Sequence, residues 1–214
     1  MQLQITSFTV GPFAENSYLL RRTGSDAAII VDPGDEGERL WRAISAAGVQ
    51  LEAILLTHAH LDHVAALGTI RERSGAPVYL HPADDELLAQ AHVIWQQFGR
   101  SIEPIAPAEH PLHDGQELTL AGITLRVIHT PGHTPGGVCF YVQSEATLIA
   151  GDTLFRRGVG RTDLPGGDMA TLQRSIVERI FPLEGAGETS VYPGHGSPTT
   201  IREEIENNPF VGIR

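Results

Sequence analysis

Residues 57–63 read THAHLDH, and this short stretch decides how the rest of the chain is interpreted. It places three histidines and one aspartate within six consecutive positions, 58 to 63. The stretch follows AILL at 53–56, a fully apolar run of the kind that forms a buried strand. The sequence therefore predicts a strand that ends in a dense group of metal-binding side chains.

The spacing within THAHLDH indicates its local conformation. On an α-helix, His58 and His60 would point roughly 200° apart, whereas an extended segment sends both to the same side. We therefore expect an extended loop after the strand and a helix that begins near Asp62. The side chains that such a segment directs at one small volume are His58, His60, Asp62 and His63.

Three further apolar runs end in a glycine-containing turn with a ligand-type residue. They are LRVI at 125–128 before His133, TLIA at 147–150 before Asp152, and SVY at 190–192 before His195. If these strands reach the same edge as THAHLDH, five imidazoles and two carboxylates converge. That set is too large for one tetrahedral zinc and suits two divalent metal ions that share a bridging group. Without a thiolate in the set, we expect zinc, with iron and manganese as alternatives.

The other histidines fit ordinary structural roles. A lone histidine in a loop usually forms hydrogen bonds or faces solvent. We expect such roles for His81, His92, His110 and His113, and for His129 a supporting contact to a ligand instead of metal binding.

Strand-like runs alternate with amphipathic helices along the chain, and no linker-like segment interrupts them. The predicted helices cover 36–47, 62–74, 84–98, 169–181 after an N-cap at Asp168, and a last one that opens at Thr200. Two sheets packed face to face with helices outside would bury the apolar strands. The prediction is an α/β fold, an αββα sandwich with two mixed sheets, in a single domain over residues 1–214.

Composition excludes several partner classes. Fifteen basic residues against twenty-six acidic ones give a formal charge of -11, which disfavours nucleic acid. No apolar run reaches membrane-spanning length, and the N-terminus lacks a basic region followed by a long apolar one. The single cysteine, Cys139, lies in an apolar alternating stretch and is expected to be a buried, inert thiol. We therefore expect a reduced, cytoplasmic protein with no membrane partner.

THAHLDH, TPGHT, GDTLF and PGHG together resemble the metallo-β-lactamase fold of binuclear hydrolases. The closest likeness is to the short bacterial glyoxalase II-type (hydroxyacylglutathione hydrolase) thioesterases. It includes VDPGD at 31–35, GRTDLPGGD at 160–168 and YPGHGSPTTIREEIENNPF at 192–210. The resemblance implies cleavage of a small-molecule thioester, such as S-2-hydroxyacylglutathione, by a metal-bridging hydroxide.

The resemblance also implies how the donors divide between the two metals. One metal would be held by His58, His60 and His133, the second by Asp62, His63 and His195, with Asp152 bridging both. Asp62 and Asp152 would be the catalytic carboxylates, and Asp62 would orient the hydroxide through its second oxygen.

Some features depart from longer glyoxalase II enzymes. A C-terminal helical domain that grips glutathione is not expected, because too few residues follow His195. Arg161 falls where those enzymes place a basic residue that binds the substrate carboxylate. Asp163, which replaces an expected aromatic residue, could instead pair with Arg161 and brace the loop. Trp95 and Phe98 could wall the substrate groove or belong to a helix core.

Other activities remain as alternatives. The GRTD stretch at 160–163 is also typical of an iron-dependent persulfide dioxygenase. Under this alternative, His58, His133 and Asp152 of this chain would hold a single iron with open positions for oxygen. Lactonase and phosphodiesterase activities belong to the same superfamily. A non-enzymatic scaffold has no support in the sequence, because all seven ligand positions are filled.

Overall fold

The computed structural model describes residues 1–212, and the chain folds into two compact units. The first unit contains Met1–Leu112 and Thr119–Ile123. The second contains His113–Leu118 and the chain from Thr124 onward. The predicted single domain over 1–214 stays a prediction, and its last two positions, Ile213 and Arg214, lie outside the described residues.

The first sheet contains six strands in chain order. They are β1 (Leu3–Val10), β2 (Glu15–Arg22), β3 (Ala27–Val31), β4 (Gln50–Leu55), β5 (Val78–Leu80) and β6 (His110–Pro111). Strands β1 to β3 pair antiparallel, with Thr9 opposite Asn16 and Leu20 opposite Ile29. Strands β3 to β6 pair parallel, so their carboxyl ends lie at one edge of the sheet.

Helices connect the parallel strands of this sheet. They are α1 (Gly37–Ala46), α2 (Leu61–Val64), α3 (Leu67–Ser74) and α4 (Asp85–Gln97). Leu40 and Ile44 of α1 are fully buried, as their helical spacing predicts. They pack in a core with aliphatic side chains such as Ile54 of β4 and Ile70 of α3. Gly75, in the left-handed conformation, ends α3.

One predicted element was wrong in detail. A single helix was expected over 62–74, but the chain forms α2 and α3 with a break at Ala65 and Ala66. The amide of Ala65 donates to the carbonyl of Gly34 at 2.9 Å, and that of Ala66 donates to Pro33 at 3.0 Å. The break therefore arises because these amides bind the turn after β3.

The second sheet also contains six strands. In spatial order they are β14 (Thr199–Thr200), β13 (Ser190–Pro193), β10 (Thr147–Gly151), β9 (Val138–Val142), β8 (Ile123–His129) and β7 (Glu117–Leu120). Strand β10 pairs parallel with β13, while β8 and β10 both pair antiparallel with β9. Strands β8, β10 and β13 therefore run in the same direction and end at one edge.

The rest of the second unit surrounds this sheet. A two-stranded hairpin joins β11 (Leu154–Phe155) to β12 (Gly158–Val159), followed by α5 (Met169–Ser175) and α6 (Ile201–Asn207). Both predicted caps are confirmed, because Asp168 accepts from the Thr171 amide at 2.7 Å and Thr200 accepts from the Glu203 amide. A π-helical segment, Ile176–Ile180, continues the predicted helix 169–181 beyond α5.

Two smaller predictions can be compared with the structure. Cys139 is fully buried in the core around β9, and burial raises the pKa of its thiol to about 11. The thiol therefore stays protonated at neutral pH, as expected of an inert cysteine. Among residues 1–212, no helix has both the length and the apolar composition needed to cross a membrane.

Candidate metal centre

Polar side chains follow three neighbouring parallel strands of the first sheet. Asp32 comes directly after β3, THAHLDH follows β4, and Asp84 closes a short 3-10 turn after β5. Parallel strands place such side chains at their common carboxyl edge, where α/β sheets bind ligands. This edge holds the first group of candidate metal donors.

The histidines of THAHLDH lie against one another. The ring centroids of His58 and His60 are 4.9 Å apart, and those of His58 and His63 are 4.1 Å apart. His58 and His63 are buried, whereas His60 and Asp62 are half-buried. His60 is extended and α2 begins at Leu61, which confirms the expected loop followed by a helix.

Asp32 orients two of these histidines. Its Oδ1 accepts from the Thr57 amide at 2.7 Å, and its Oδ2 accepts from Thr57 Oγ1 at 2.5 Å and from His63 Nδ1 at 3.0 Å. Thr57 Oγ1 lies 3.1 Å from His58 Nδ1 and, with its own proton directed at Asp32, accepts from that nitrogen. Both imidazoles therefore carry the proton on Nδ1 and the lone pair on Nε2.

Asp84 supports the same segment from the neighbouring strand end. It is fully buried, and its Oδ2 accepts from the Ala59 amide at 3.2 Å. Ala59 lies between His58 and His60, so this bond fixes the backbone from which both side chains project. Donor atoms of Asp32, His58 and His63 lie within 4.8 Å of one another. Asp32 is already occupied by Thr57, so we interpret it as a support for the ligands.

Glu15 is a second buried carboxyl near this group. Burial raises the pKa of Glu15 well above its ordinary value, although the neighbouring His63 acts in the opposite direction. Its Oε2 accepts from Ser17 Oγ at 3.0 Å, and its Oε1 lies 3.8 Å from His63 Nδ1. A Cβ on Gly34 would lie 2.2 Å from Glu15 Oε2 and from the Asp62 carbonyl. Only glycine therefore fits in this turn.

In the second unit, two predicted histidine donors meet at the carboxylate of the third donor, Asp152. His133 follows β8, Asp152 follows β10 and His195 follows β13, at the carboxyl ends that share an edge. Oδ2 of Asp152 lies 3.5 Å from His133 Nε2 and 3.5 Å from His195 Nε2. The common edge is thus confirmed for these three strands. It was wrong for β4, the strand before THAHLDH, because β4 belongs to the first sheet.

A backbone carbonyl orients His133. Its Nδ1 donates to the carbonyl of Arg161 at 2.7 Å, which leaves the lone pair on Nε2, the nitrogen that faces Asp152. A Cβ on Gly160 would lie 1.9 Å from the Asp152 carbonyl and 3.0 Å from His133 Nδ1. The glycine therefore allows the 160–161 backbone to approach both donor residues.

The Arg161 side chain binds Asp163. Its Nε and Nη2 donate to the two carboxylate oxygens at 2.8 Å each, and both side chains are exposed. The hydrogen bonds from Arg161 lower the pKa of Asp163 to about 2. This is the loop-bracing pair expected as one of the two roles of Arg161. Contact with a substrate carboxylate stays a prediction.

The structure thus gathers the predicted donors into two sets. THAHLDH supplies the first set in the first unit, and His133, Asp152 and His195 form the second. His129 Nε2 lies 2.9 Å from the Pro135 carbonyl, and His110 stacks on Tyr79. The stacking of His110 is of the structural kind expected for it. The contact of His129 is to a carbonyl outside the donor set, and its expected support of a ligand stays a prediction.

Asp32, Asp84 and Glu15 were not identified as site residues from the sequence. Asp32 lies in VDPGD and adopts a φ of 47°, which is unusual for an aspartate at a strand end. The sequence signal that could have identified Asp32 is its position directly after an apolar strand. Nothing in the local sequence marks Glu15 or Asp84, since their contacts depend on strand pairing.

The sequence profile of the metallo-β-lactamase superfamily matches residues 10–195. A Bacillus subtilis (strain 168) protein named probable metallo-hydrolase YqgX is 42% identical over 94% of both chains. Hydroxyacylglutathione hydrolase GloC of Haemophilus influenzae is 36% identical over 99% of this chain and 100% of its own.

Solved structures resemble this chain over nearly its whole length. The B3 metallo-β-lactamase BLEG-1 superposes with a TM-score of 0.90 at 40% identity, over 97% of this chain and 99% of the other. The di-iron-bound form of TTHA1623 has a TM-score of 0.86 at 42% identity, over 96% and 99%. ETHE1 from Myxococcus xanthus has a TM-score of 0.79 at 27% identity, over 97% and 84%. The predicted fold class, α/β with two mixed sheets and helices, is confirmed.

Proposed function

The chain belongs to the metallo-β-lactamase superfamily of metal-dependent hydrolases, and we propose that it cleaves a thioester such as S-2-hydroxyacylglutathione. Two lines of support favour a thioester. The motifs GDTLF, GRTDLPGGD and PGHG resemble those of glyoxalase II-type enzymes. A relative that aligns end to end with this chain carries the name of a hydroxyacylglutathione hydrolase.

In this proposal the two donor sets serve one binuclear site. His58, His60 and His133 would hold the first ion, Asp62, His63 and His195 would hold the second, and Asp152 would serve both. Zinc is the proposed metal, and the di-iron form of a relative keeps iron as an alternative. The cytoplasmic location expected from the sequence is part of the same proposal.

The position of Asp152 between two histidines is the observation that supports the two-metal proposal most strongly. Two ligands bound at about 2.0–2.1 Å in tetrahedral geometry lie about 3.3 Å apart. The 3.5 Å separations from its Oδ2 to His133 and His195 are close to this value. One carboxylate that lies at ligand distance from two imidazoles on separate strands is suited to join two ions.

The chain's own residues position the reaction. Two bound ions would supply a hydroxide at neutral pH and polarise the thioester carbonyl. Asp62 would orient the attacking hydroxide by accepting a hydrogen bond from it on one carboxylate oxygen. Asp32 and the Arg161 carbonyl hold His63 and His133 in the tautomer that presents Nε2. The leaving thiol has an ordinary pKa of about 8.5 and departs as thiolate without a general acid.

A pair of variants tests whether Asp152 is a ligand shared by both metals. Asp152→Ala should deplete both metals, whereas His195→Ala should weaken the second ion selectively and keep about one metal per chain. The control is Asp85→Ala, an exposed aspartate outside the proposed site. Metal content is measured by mass spectrometry on protein purified without added ions. Retention of both metals by Asp152→Ala would contradict the bridging role.

Activity is tested with a panel of substrates on the same preparations. Thiol release from S-lactoylglutathione and other thioesters is expected. Hydrolysis of a lactone, a phosphodiester or a β-lactam, followed by its own product, should be much slower. Oxygen uptake with glutathione persulfide by protein that holds one iron per chain would instead support the persulfide dioxygenase. That alternative rests on the GRTD stretch at 160–163.

A further inference from the structure

Two phenylalanine rings lie side by side at the surface of the first unit. Phe13 is 41% exposed and Phe98 is 55% exposed, and their centroids are 5.7 Å apart in an edge-to-face arrangement. Trp95, which is buried, lies 5.9 Å from Phe13 and 6.4 Å from Phe98. We call these three rings the aromatic edge. Adjacent exposed aromatic rings form an apolar surface against which another ring can pack.

An ion pair lies against the buried ring of the aromatic edge. The Arg100 guanidinium lies 4.5 Å above the Trp95 ring, and the same group binds Asp35 at 2.5 and 3.1 Å. The carboxylate of Asp35 neutralises the positive charge of Arg100. The surface is therefore suited to a neutral, apolar group.

The aromatic edge is attached to the segment that carries candidate metal donors. The indole Nε1 of Trp95 donates to the Leu61 carbonyl at 3.0 Å. Leu61 is the first residue of α2 and directly precedes Asp62 and His63. The ring that packs behind Phe13 and Phe98 is therefore hydrogen-bonded to the segment that carries two of the candidate donors.

The size of the surface selects the kind of ligand. A phenylalanine buries about 150–250 Å² when fully covered, so two half-exposed rings offer about 200 Å². A stable protein partner covers about 800 Å² on each side. The exposed area fits one aromatic ring or short hydrocarbon group of a small molecule.

We propose that the aromatic edge binds an aromatic group next to the scissile bond of the thioester substrate. This inference rests on the proposed function and extends it to a substrate class, thioesters with an aromatic acyl or thiol group. Phe13 and Phe98 contact that ring, and Trp95 acts as a positioning residue behind them.

Binding of two non-hydrolysable thioethers tests the aromatic edge without relying on turnover. S-benzylglutathione and S-methylglutathione differ by one phenyl group, and calorimetry on the purified, metal-containing protein gives both affinities. The benzyl compound should bind about 10-fold more tightly, because burial of a phenyl group against aromatic rings is favourable. Phe13→Ala and Phe98→Ala should each reduce this preference at least about 3-fold.

Matched controls separate the aromatic edge from any exposed ring. Phe210 is 50% exposed in the second unit, and Phe210→Ala should keep the full preference. Phe98→Tyr should keep it as well, because the ring remains. Equal affinities of wild-type protein for the two thioethers, or an unchanged preference in Phe98→Ala, would overturn the proposal.

Kinetics with matched thioesters then show which side of the substrate carries the ring. Glutathione thioesters of mandelate and lactate vary the acyl group, while lactate thioesters of benzyl mercaptan and ethanethiol vary the thiol. Phe98→Ala should lower kcat/KM about 10-fold for the aromatic member of one pair and leave lactoylglutathione nearly unchanged. An equal loss for both members of each pair would contradict a specificity role. Absence of thiol release from all four would contradict the proposed function, and the thioether affinities would still decide the aromatic edge.

Discussion

The two units present their candidate donors in different ways. The first unit carries four of them within residues 58–63, after a single strand, and holds their backbone with the carboxylates of Asp32 and Asp84. The second unit gathers one donor from each of three strand ends and supports His133 with a backbone carbonyl. The comparison shows that local spacing can build a metal-binding group, and so can sheet topology.

The two kinds of support should respond differently to mutation. A side-chain support such as Asp32 can be removed by one substitution, whereas the Arg161 carbonyl remains whichever side chain is present. The first unit is therefore the more sensitive to loss of a single polar group. The second is sensitive to changes that displace its backbone.

Among the residues that support the donors, the largest effect is expected for Asp32→Ala. It removes the acceptor of Thr57 and His63, so metal affinity should fall about 10–100-fold and the free energy of unfolding by about 1–3 kcal/mol. Competition with a chelator and urea unfolding measure the two quantities. Asp26→Ala, at an exposed aspartate, is the control. Unchanged metal affinity in Asp32→Ala would show that the carboxylate does not orient the ligands.

A pair of glycine substitutions tests the backbone approaches in both units. In Gly34→Ala and Gly160→Ala the new Cβ meets atoms at 2.2 and 1.9 Å, and each should lower the free energy of unfolding by about 1–3 kcal/mol. Gly160→Ala should also weaken metal binding, because it displaces Asp152 and His133. Chemical denaturation and chelator competition measure these changes.

Two nearby glycines provide matched controls. A Cβ on Gly158 meets only Phe155 at 3.6 Å, and one on Gly68 in α3 meets nothing within 4 Å. Gly68→Ala should stabilise the protein by about 0.5–1 kcal/mol, because alanine favours the helix. If Gly160→Ala were as stable as Gly158→Ala, the close backbone approach at position 160 would not require glycine.

A smaller effect is expected for Asp84→Ala, which leaves the buried Ala59 amide without this acceptor. The free energy of unfolding should fall by about 1–2 kcal/mol. Metal affinity should fall less than in Asp32→Ala, because Asp32 binds both the Thr57 hydroxyl and the His63 ring. Thermal unfolding of Asp84→Ala beside Asp85→Ala, at its exposed neighbour, measures this difference. Equal melting temperatures for the two variants would contradict a supporting role for Asp84.

The smallest effect concerns the exposed Arg161–Asp163 pair. Because the folded pKa of Asp163 is lowered to about 2, its contribution to stability is present above its unfolded pKa of about 3.9 and is lost as the pH falls through about 2. An NMR titration of Asp163 should give a midpoint of about 2, which should rise toward the ordinary value in Arg161→Gln. A midpoint that is equal in both proteins would show that the pair does not form in solution.

The metal content of a variant can distinguish the role of the Arg161 side chain from that of its backbone carbonyl. Arg161→Gln keeps the carbonyl that accepts from His133, so metal content should match that of wild-type protein. A raised KM for glutathione thioesters in this variant would support the predicted contact with a substrate carboxylate.

Features that depend on neighbouring residues in the chain were predictable. The extended loop before α2 follows from the spacing of THAHLDH, and the helix starts at Asp168 and Thr200 follow from their capping chemistry. The three strand ends that carry His133, Asp152 and His195 could be inferred because each combines an apolar run with a glycine-containing turn.

Features that depend on distant residues could not be read from the sequence. Asp32 and Asp84 each act on a segment 25 residues away, and their bonds exist only once β3, β4 and β5 pair in register. The break between α2 and α3 has the same origin, since the amides of Ala65 and Ala66 bind the turn after β3. Local helix propensity at these alanines predicts continuity, and tertiary hydrogen bonding overrides it.

The central claim is that all seven donors hold two metal ions in a single site. The distance between the ions, measured by X-ray absorption on protein loaded with zinc, tests this claim most directly. The account predicts two ions per chain at about 3.5–4 Å from each other. Absence of a metal–metal scattering signal in protein that holds two ions per chain, or a single tightly bound ion, would contradict it.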